Sequence, residues 1–208
     1  MGNVAKSSLT TAPTSTNCGL TYIALGASDS VGVGTSNPSI EGWVPQFALL
    51  INAAKTINLG VSGSTVAQAL RQQVPTALIQ KADENSVITI WLAVNDFNAQ
   101  VTGQVTLDQY KTSLNRMLSS LKSNTNQVLV GNIPDLSKVK IYSNLGIPTP
   151  VLSSRVTEWN KVISDVVKSN NCKLVNLFAH WKELERHPEY ISFDGFHPSS
   201  DGYKRLAQ

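Results

Sequence analysis

Short apolar runs alternate with stretches of helical periodicity, and no other feature constrains this chain as much. Residues 20–25, 86–94, 127–131 and 173–178 are short, β-branched-rich and free of polar alternation. Strands covered on both faces read that way, because neither face meets water. Residues 56–59 are a weaker fifth run. Between the runs, Trp43, Phe47, Leu50 and Ile51 recur at helical spacing, as do Leu107, Tyr110, Leu114, Met117 and Leu121 behind a Thr106/Gln109 capping box. Leu152, Val156, Trp159, Ile163 and Val166 repeat the pattern after Thr149-Pro150, which suits an N-cap followed by a proline at N1. Residues 64–80 are helical in pattern but carry Pro75, which predicts a kink or two short helices. Five strands alternating with helices specify right-handed βαβ units, and hence an α/β three-layer sandwich around a five-stranded parallel sheet.

In such a sheet, ligands bind beyond the carboxyl ends of the strands. Functional residues are therefore expected within 26–40, 60–64, 93–105, 131–149 and 179–198. Residues 1–19 include a Ser/Thr-rich stretch that reads as a linker of the kind that tethers exported domains, and 20–208 reads as a single domain. An apolar fraction of 41% against 15% charged residues suits a packed core and excludes disorder, collagen and coiled coil. No apolar run approaches the ~18 residues of a membrane span. The net charge of +3 comes from scattered basic residues with no stripe fit to neutralise phosphates, which argues against nucleic acid as a partner. Cys18 and Cys172 are too few for a disulfide framework and too isolated for a zinc site, and read as unrelated thiols.

Several familiar signals fail. Residues 32–37 lack the last glycine of a dinucleotide fingerprint, and there is no phosphate-cradling glycine loop, His-Glu-x-x-His or Gly-x-Ser-x-Gly. A different set lies where the topology puts a site. Gly26-Ala27-Ser28-Asp29-Ser30 follows the first run, so the bend can expose a serine hydroxyl and its backbone N–H. Phe193-Asp194-Gly195-Phe196-His197-Pro198 supplies an Asp and a His three residues apart. On a turn, that spacing lets the carboxylate hold imidazole Nδ1–H and leaves Nε2 free to deprotonate a serine. The Gly60 N–H in Asn58-Leu59-Gly60, and the Asn95 amide in Ala93-Val94-Asn95-Asp96, are two further donors that can stabilise an oxyanion. Each alone has a plain reading as a turn, cap or loop residue; together, in this order, they describe an acyl-transfer site.

At these residues the chain resembles the SGNH, or GDSL-type, hydrolases, from residue 20 onward and through four blocks in the family's order. The resemblance implies a flavodoxin-like arrangement of the sheet, Ser28 as nucleophile, Asp194 and His197 as its partners, and Ser28, Gly60 and Asn95 as the oxyanion hole. Two positions depart from the family's pattern: Ala27 stands where Asp usually precedes the serine, with Asp29 now following it, and Ala93 replaces the glycine of the third block. No metal or organic cofactor is implied. His180 and His187, on an expected helix over 179–187, read as surface or packing residues.

The expected reaction is hydrolysis of short to medium acyl esters through an acyl-Ser28 intermediate. Leu136, Val139, Ile141, Tyr142 and Leu145 in the loop over 133–147, with Tyr190, Ile191, Phe193 and Phe196 in the last loop, form either an apolar wall over an acyl pocket or simple loop packing. A carbohydrate O-acetylesterase with the same residues is the second reading. A catalytically silent glycan- or protein-binding domain is the third. The partner is thus a small-molecule ester or an acylated carbohydrate. Oligomeric state is not legible, and export is an expectation from the linker alone.

Overall fold

The computed structural model describes residues 19–80, 85–123 and 126–208; Cys18 and nearly all of the expected linker lie outside these. Five strands form one sheet: β1 Thr21–Gly26, β2 Lys55–Asn58, β3 Ser86–Trp91, β4 Asn126–Gly131 and β5 Lys173–Val175. All pairs are parallel and the order is β2-β1-β3-β4-β5. This is the doubly wound arrangement, whose direction of winding reverses between β1 and β3. The last paired residues there are Gly26 and Trp91, so the crevice opens where those strands end.

The helices are α1 Ser28–Val31, α2 Pro38–Glu41, α3 Trp43–Leu50, α4 Val66–Gln72, α5 Val74–Gln80, α6 Ala93–Val101, α7 Leu107–Leu121, α8 Lys140–Ser143, α9 Thr149–Ser169, α10 Trp181–Arg186 and α11 Ser200–Leu206. Every residue of β1 is buried, and the two-residue side-chain period divides them between two cores. Ile23 and Leu25 join Leu114, Leu118, Val156, Trp159 and Ile163 on the face covered by α4, α7 and α9. Tyr22 and Ala24 join Trp43, Trp91 and Tyr203 on the face covered by α3 and α11. Each fully buried large side chain contributes about 1.5–3 kcal/mol through its removal from water. The three layers thus follow from the apolar runs.

Several boundaries differ from those the sequence predicts. The run over 86–94 ends as a strand at Trp91, and α6 begins at Ala93. Leu92 and Ala93 are both buried, so hydropathy carries no mark of the turn between them. The run over 173–178 is strand only to Val175 and then a 3-10 turn, Leu177–His180. Residues 64–80 do form two helices, α4 and α5, with Pro75 in the first turn of the second. Helix α9 takes Pro148 rather than Thr149 as its cap, with Pro150 in its first turn; the fixed φ of Pro148, −57°, sets the entry. On α3, Trp43 is buried but Leu50 faces solvent, so the apolar stripe is narrower than its periodicity implies. The helix expected over 179–187 is split into the 3-10 turn and α10.

Candidate active site

Ser28 opens α1 immediately after β1, at the sheet's reversal point. As the first helical residue its N–H has no intrahelical carbonyl within reach. The strand end behind it is clamped by Gln73, buried at the junction of α4 and α5. Its side-chain amide accepts from Gly26 N at 3.0 Å and donates to Gly26 O at 3.0 Å. Sequence reasoning passed over Gln73, because a glutamine in a helical segment carries no pattern that separates a buried bridge from a solvated side chain.

The Asp194–His197 loop is built locally. Ser192 N donates to His197 O at 2.8 Å, an antiparallel bridge joins Ile191 to Pro198, and Gly195 takes a left-handed φ of 72°. Asp194 Oδ1 accepts from Ser192 Oγ and from the N–H groups of Phe196 and His197, all at 2.8–2.9 Å. Its Oδ2 lies 2.6 Å from His197 Nδ1, and His197 Nε2 lies 2.9 Å from Ser28 Oγ. With Nδ1–H donating to the carboxylate, Nε2 accepts the serine hydroxyl. Burial pushes the Asp194 carboxyl up, but the bonds from the His197 ring, the two N–H groups and Ser192 outweigh it and hold Asp194 at about 2. Gly34, with φ 105°, packs under this loop. A Cβ there would meet the Pro198 carbonyl and lie 3.1 Å from His197 Cβ, so a side chain would shift the imidazole.

The opposite side of Ser28 is assembled from three separated segments. Asn95, in the first turn of α6, donates through Nδ2 to Ser64 O at 3.0 Å. An amide carries two N–H groups, so this leaves a second one. Asn95 and Ser28 share a small recess of about 10 Å³ with Ala27, Asp29, Trp91, Leu92, Val94 and Phe196. The Gly60 N–H is engaged by Asn58 Oδ1 at 3.0 Å, while Asn58 Nδ2 donates to Ser30 O at 2.6 Å. A Cβ at Gly60 would press on Ser30 and the Ala27 carbonyl, so this position holds the β2 loop against the nucleophile turn. Beside Asn95, Asp96 is almost wholly buried and accepts from Val66 N at 2.8 Å, at the start of α4. Desolvation lifts its carboxyl to about 7 against that bond.

The recess adjoins a cavity of about 440 Å³, lined mainly by apolar side chains including Trp91, Leu136, Val139, Leu177, Tyr190, Ile191 and Phe196. A second groove of about 270 Å³ lies beyond Phe196 and contains Ile141, Tyr142, Leu145 and Ile147. The apolar loops therefore both pack and enclose: Leu136, Val139 and Tyr142 are buried, whereas Phe193 is fully exposed and belongs to no wall. His180 also lines the cavity, with Nδ1 2.8 Å from Glu183, whereas His187 pairs with Glu189 and stacks on Tyr190. Among the described residues, no group of three or more His, Cys, Asp or Glu side chains is placed to hold a metal ion. No helix among them is long and apolar enough to cross a membrane. Cys172 is half-buried at the start of β5, and its expected independence from Cys18 falls outside the described residues.

A hydrogen-bonded Ser-His-Asp series at the carboxyl edge of a parallel sheet, beside an apolar cavity, defines an α/β protein of serine-hydrolase type. The sequence profile of the GDSL-like lipase/acylhydrolase family matches residues 24–205, and the chain belongs to that family. Its fold is shared with a lipolytic protein of the G-D-S-L family from Veillonella parvula (TM-score 0.69, 18% identity, 90% of this chain and 94% of that chain). TesA (TM-score 0.66, 22% identity, 90% and 93%) and an acetyl xylan esterase from Geobacillus stearothermophilus (TM-score 0.69, 18% identity, 90% and 90%) share it as well. At these identities the likeness is one of fold. Comparison with curated protein sequences finds no match.

Proposed function

We propose that this protein hydrolyses carboxylic esters of short to medium acyl chains through an acyl-Ser28 intermediate. The observation that carries this reading is the continuous series Asp194–His197–Ser28, at 2.6 and 2.9 Å, beside the 440 Å³ apolar cavity. His197 Nε2 takes the hydroxyl proton as Ser28 Oγ attacks the ester carbonyl, and Asp194 stabilises the resulting imidazolium. The negative charge that develops on the carbonyl oxygen is met by the Ser28 N–H, the remaining Asn95 N–H and the Gly60 N–H. The last exchanges its bond to Asn58 Oδ1 for the oxyanion. His197 then protonates the departing alcohol and activates the water that releases the acid.

An apolar cavity of this size holds far more than an acetyl group, which favours the carboxylesterase-like reading. The fold shared with an acetyl xylan esterase supports a second reading, in which acetate is released from an acetylated carbohydrate. An intact relay argues against a silent binding domain. Labelling with a fluorophosphonate tests the shared chemistry: wild type is expected to label and Ser28→Ala to stay unlabelled, and a folded wild type that resists the probe overturns the reading. Nitrophenyl esters of increasing acyl length then separate the alternatives. A rise in kcat/KM from acetyl to hexanoyl is expected, and a maximum at acetyl would favour the carbohydrate esterase.

A further inference from the structure

The cavity beside Ser28 contains a charge that the ester chemistry does not use. Its charged lining residues are Asp29, His180, Glu183 and Arg205. Three of these satisfy one another. Arg205 donates to both Glu183 oxygens at 2.6 and 2.8 Å, and His180 lies 2.8 Å from Glu183, which holds the Glu183 carboxyl at about 2. Asp29 is different: no side chain among the described residues donates a hydrogen bond to it. The two phenols whose ionisation its charge opposes both donate elsewhere, Tyr203 to Val33 O at 2.7 Å and Tyr142 to Asn98 Oδ1 at 2.8 Å. Desolvation lifts the Asp29 carboxyl to about 6; the nearby His197 and a hydrogen bond from its own backbone N–H pull it down, and Asp194 pushes it up. That N–H fills one of the roughly four acceptor positions of the carboxylate, so the others are open to a donor on a ligand beside the apolar walls.

Position says which part of a substrate that is. Asp29, Trp91, Val94 and Phe196 line both the recess at Ser28 and the larger cavity, so they stand where the two adjoin. An acyl chain attached to Ser28 and running into the cavity passes Asp29 within its first few atoms, with apolar walls beyond.

We propose that Asp29 is a specificity-determining residue that accepts a hydrogen bond from a hydroxyl or ammonium group two or three bonds from the acyl carbonyl. The acyl groups this protein prefers are then hydroxyacyl or aminoacyl chains with an apolar tail. This rests on the ester-hydrolase reading and refines its substrate class.

Ethyl esters of hexanoic, 3-hydroxyhexanoic and 3-aminohexanoic acids, followed by acid release, provide the test on wild type, Asp29→Leu and Asp29→Asn. A hydrogen bond to a charged group corresponds to about a tenfold to hundredfold preference, so wild type is expected to favour the substituted chains over hexanoyl by that factor. Asp29→Leu is expected to reverse the order by raising kcat/KM for hexanoyl and lowering it for the other two. Asp29→Asn keeps an acceptor but not the charge, and is expected to lose preference for the amine more than for the hydroxyl. The separate responses of hydroxyl and amine identify which donor Asp29 serves. A substituted-to-plain ratio near one in wild type, or the same ratio in wild type and Asp29→Leu, overturns the inference while leaving the hydrolase reading intact. Absence of turnover on every ester, with no fluorophosphonate labelling of wild type, overturns both.

Discussion

The two sides of Ser28 are built in opposite ways. On one side, Asp194 and His197 sit three residues apart on a turn whose residues 192–197 supply all four of the hydrogen bonds found on the carboxylate, two of them from the backbone. On the other side, Ser28, Gly60 and Asn95 come from three loops, and the bonds that set them run to Gln73, Asn58 and Ser64. The Asp194–His197 pair is a local device; the proposed oxyanion side exists only when β1, β2 and β3 are in register. Damage should therefore be confined to chemistry on the first side and spread into stability on the second.

Four substitutions probe that contrast, from the largest effect down. Ser28→Ala is expected to reduce kcat by about 10⁶-fold with a nearly unchanged melting temperature, because it removes a single part-buried hydroxyl and opens no apolar cavity. Ester turnover and calorimetry check this together. Asp194→Asn is expected to cost about 10⁴ in kcat, since the amide no longer holds the productive imidazole tautomer, with little change in KM. Asn95→Ala is expected to cost about 10²–10³ in kcat by removing one oxyanion donor. It also leaves the Ser64 carbonyl unpaired, so its melting temperature should fall, unlike that of Ser28→Ala. Gln73→Leu strips Gly26 of both side-chain bonds; the Gly26 carbonyl keeps Val61 N, but its N–H is left unpaired, which should destabilise the fold by about 1–3 kcal/mol. An unchanged denaturation midpoint for Gln73→Leu would show that the oxyanion side is no more dependent on tertiary clamps than the relay.

The last effect concerns pH. Asp96 is held at about 7 in the folded chain, well above the ordinary carboxyl value near 4. A raised carboxyl pKa means the native state holds the proton more tightly than the unfolded state. Its favourable contribution is thus complete below about pH 4 and is lost as pH rises through about 7. The loss is at most about 4 kcal/mol, given 1.36 kcal/mol per unit. Asp29, at about 6, acts in the same direction. Melting temperature is expected to fall between pH 5 and 8, and Asp96→Asn is expected to flatten that slope. A slope identical to wild type would remove Asp96 as its source.

The relay was legible because its parts are chemically distinctive and two of them are close in sequence: Asp194 and His197 declare their spacing, and a serine after a buried strand declares its bend. The layered fold was legible for a related reason, since a strand shielded on both faces must be apolar throughout, as Thr21–Gly26 is. Helix starts inside continuous apolar runs were not, because burial persists across the change of backbone at Leu92. Nor was Gln73, whose role depends on which strand end lies next to it.

Apolar periodicity and the order of the four blocks were enough to establish a five-stranded parallel sheet and to nominate Ser28, Gly60, Asn95, Asp194 and His197. They were enough because burial and local turn chemistry leave direct marks on residue type. Only the assembled sheet decided that Asn58 ties the Gly60 loop to Ser30, that Gln73 holds the nucleophile turn, and that Asp29 lines an apolar cavity without a side-chain donor among the described residues. Those relations depend on distances between segments remote in the chain, which residue type does not encode until packing brings them together.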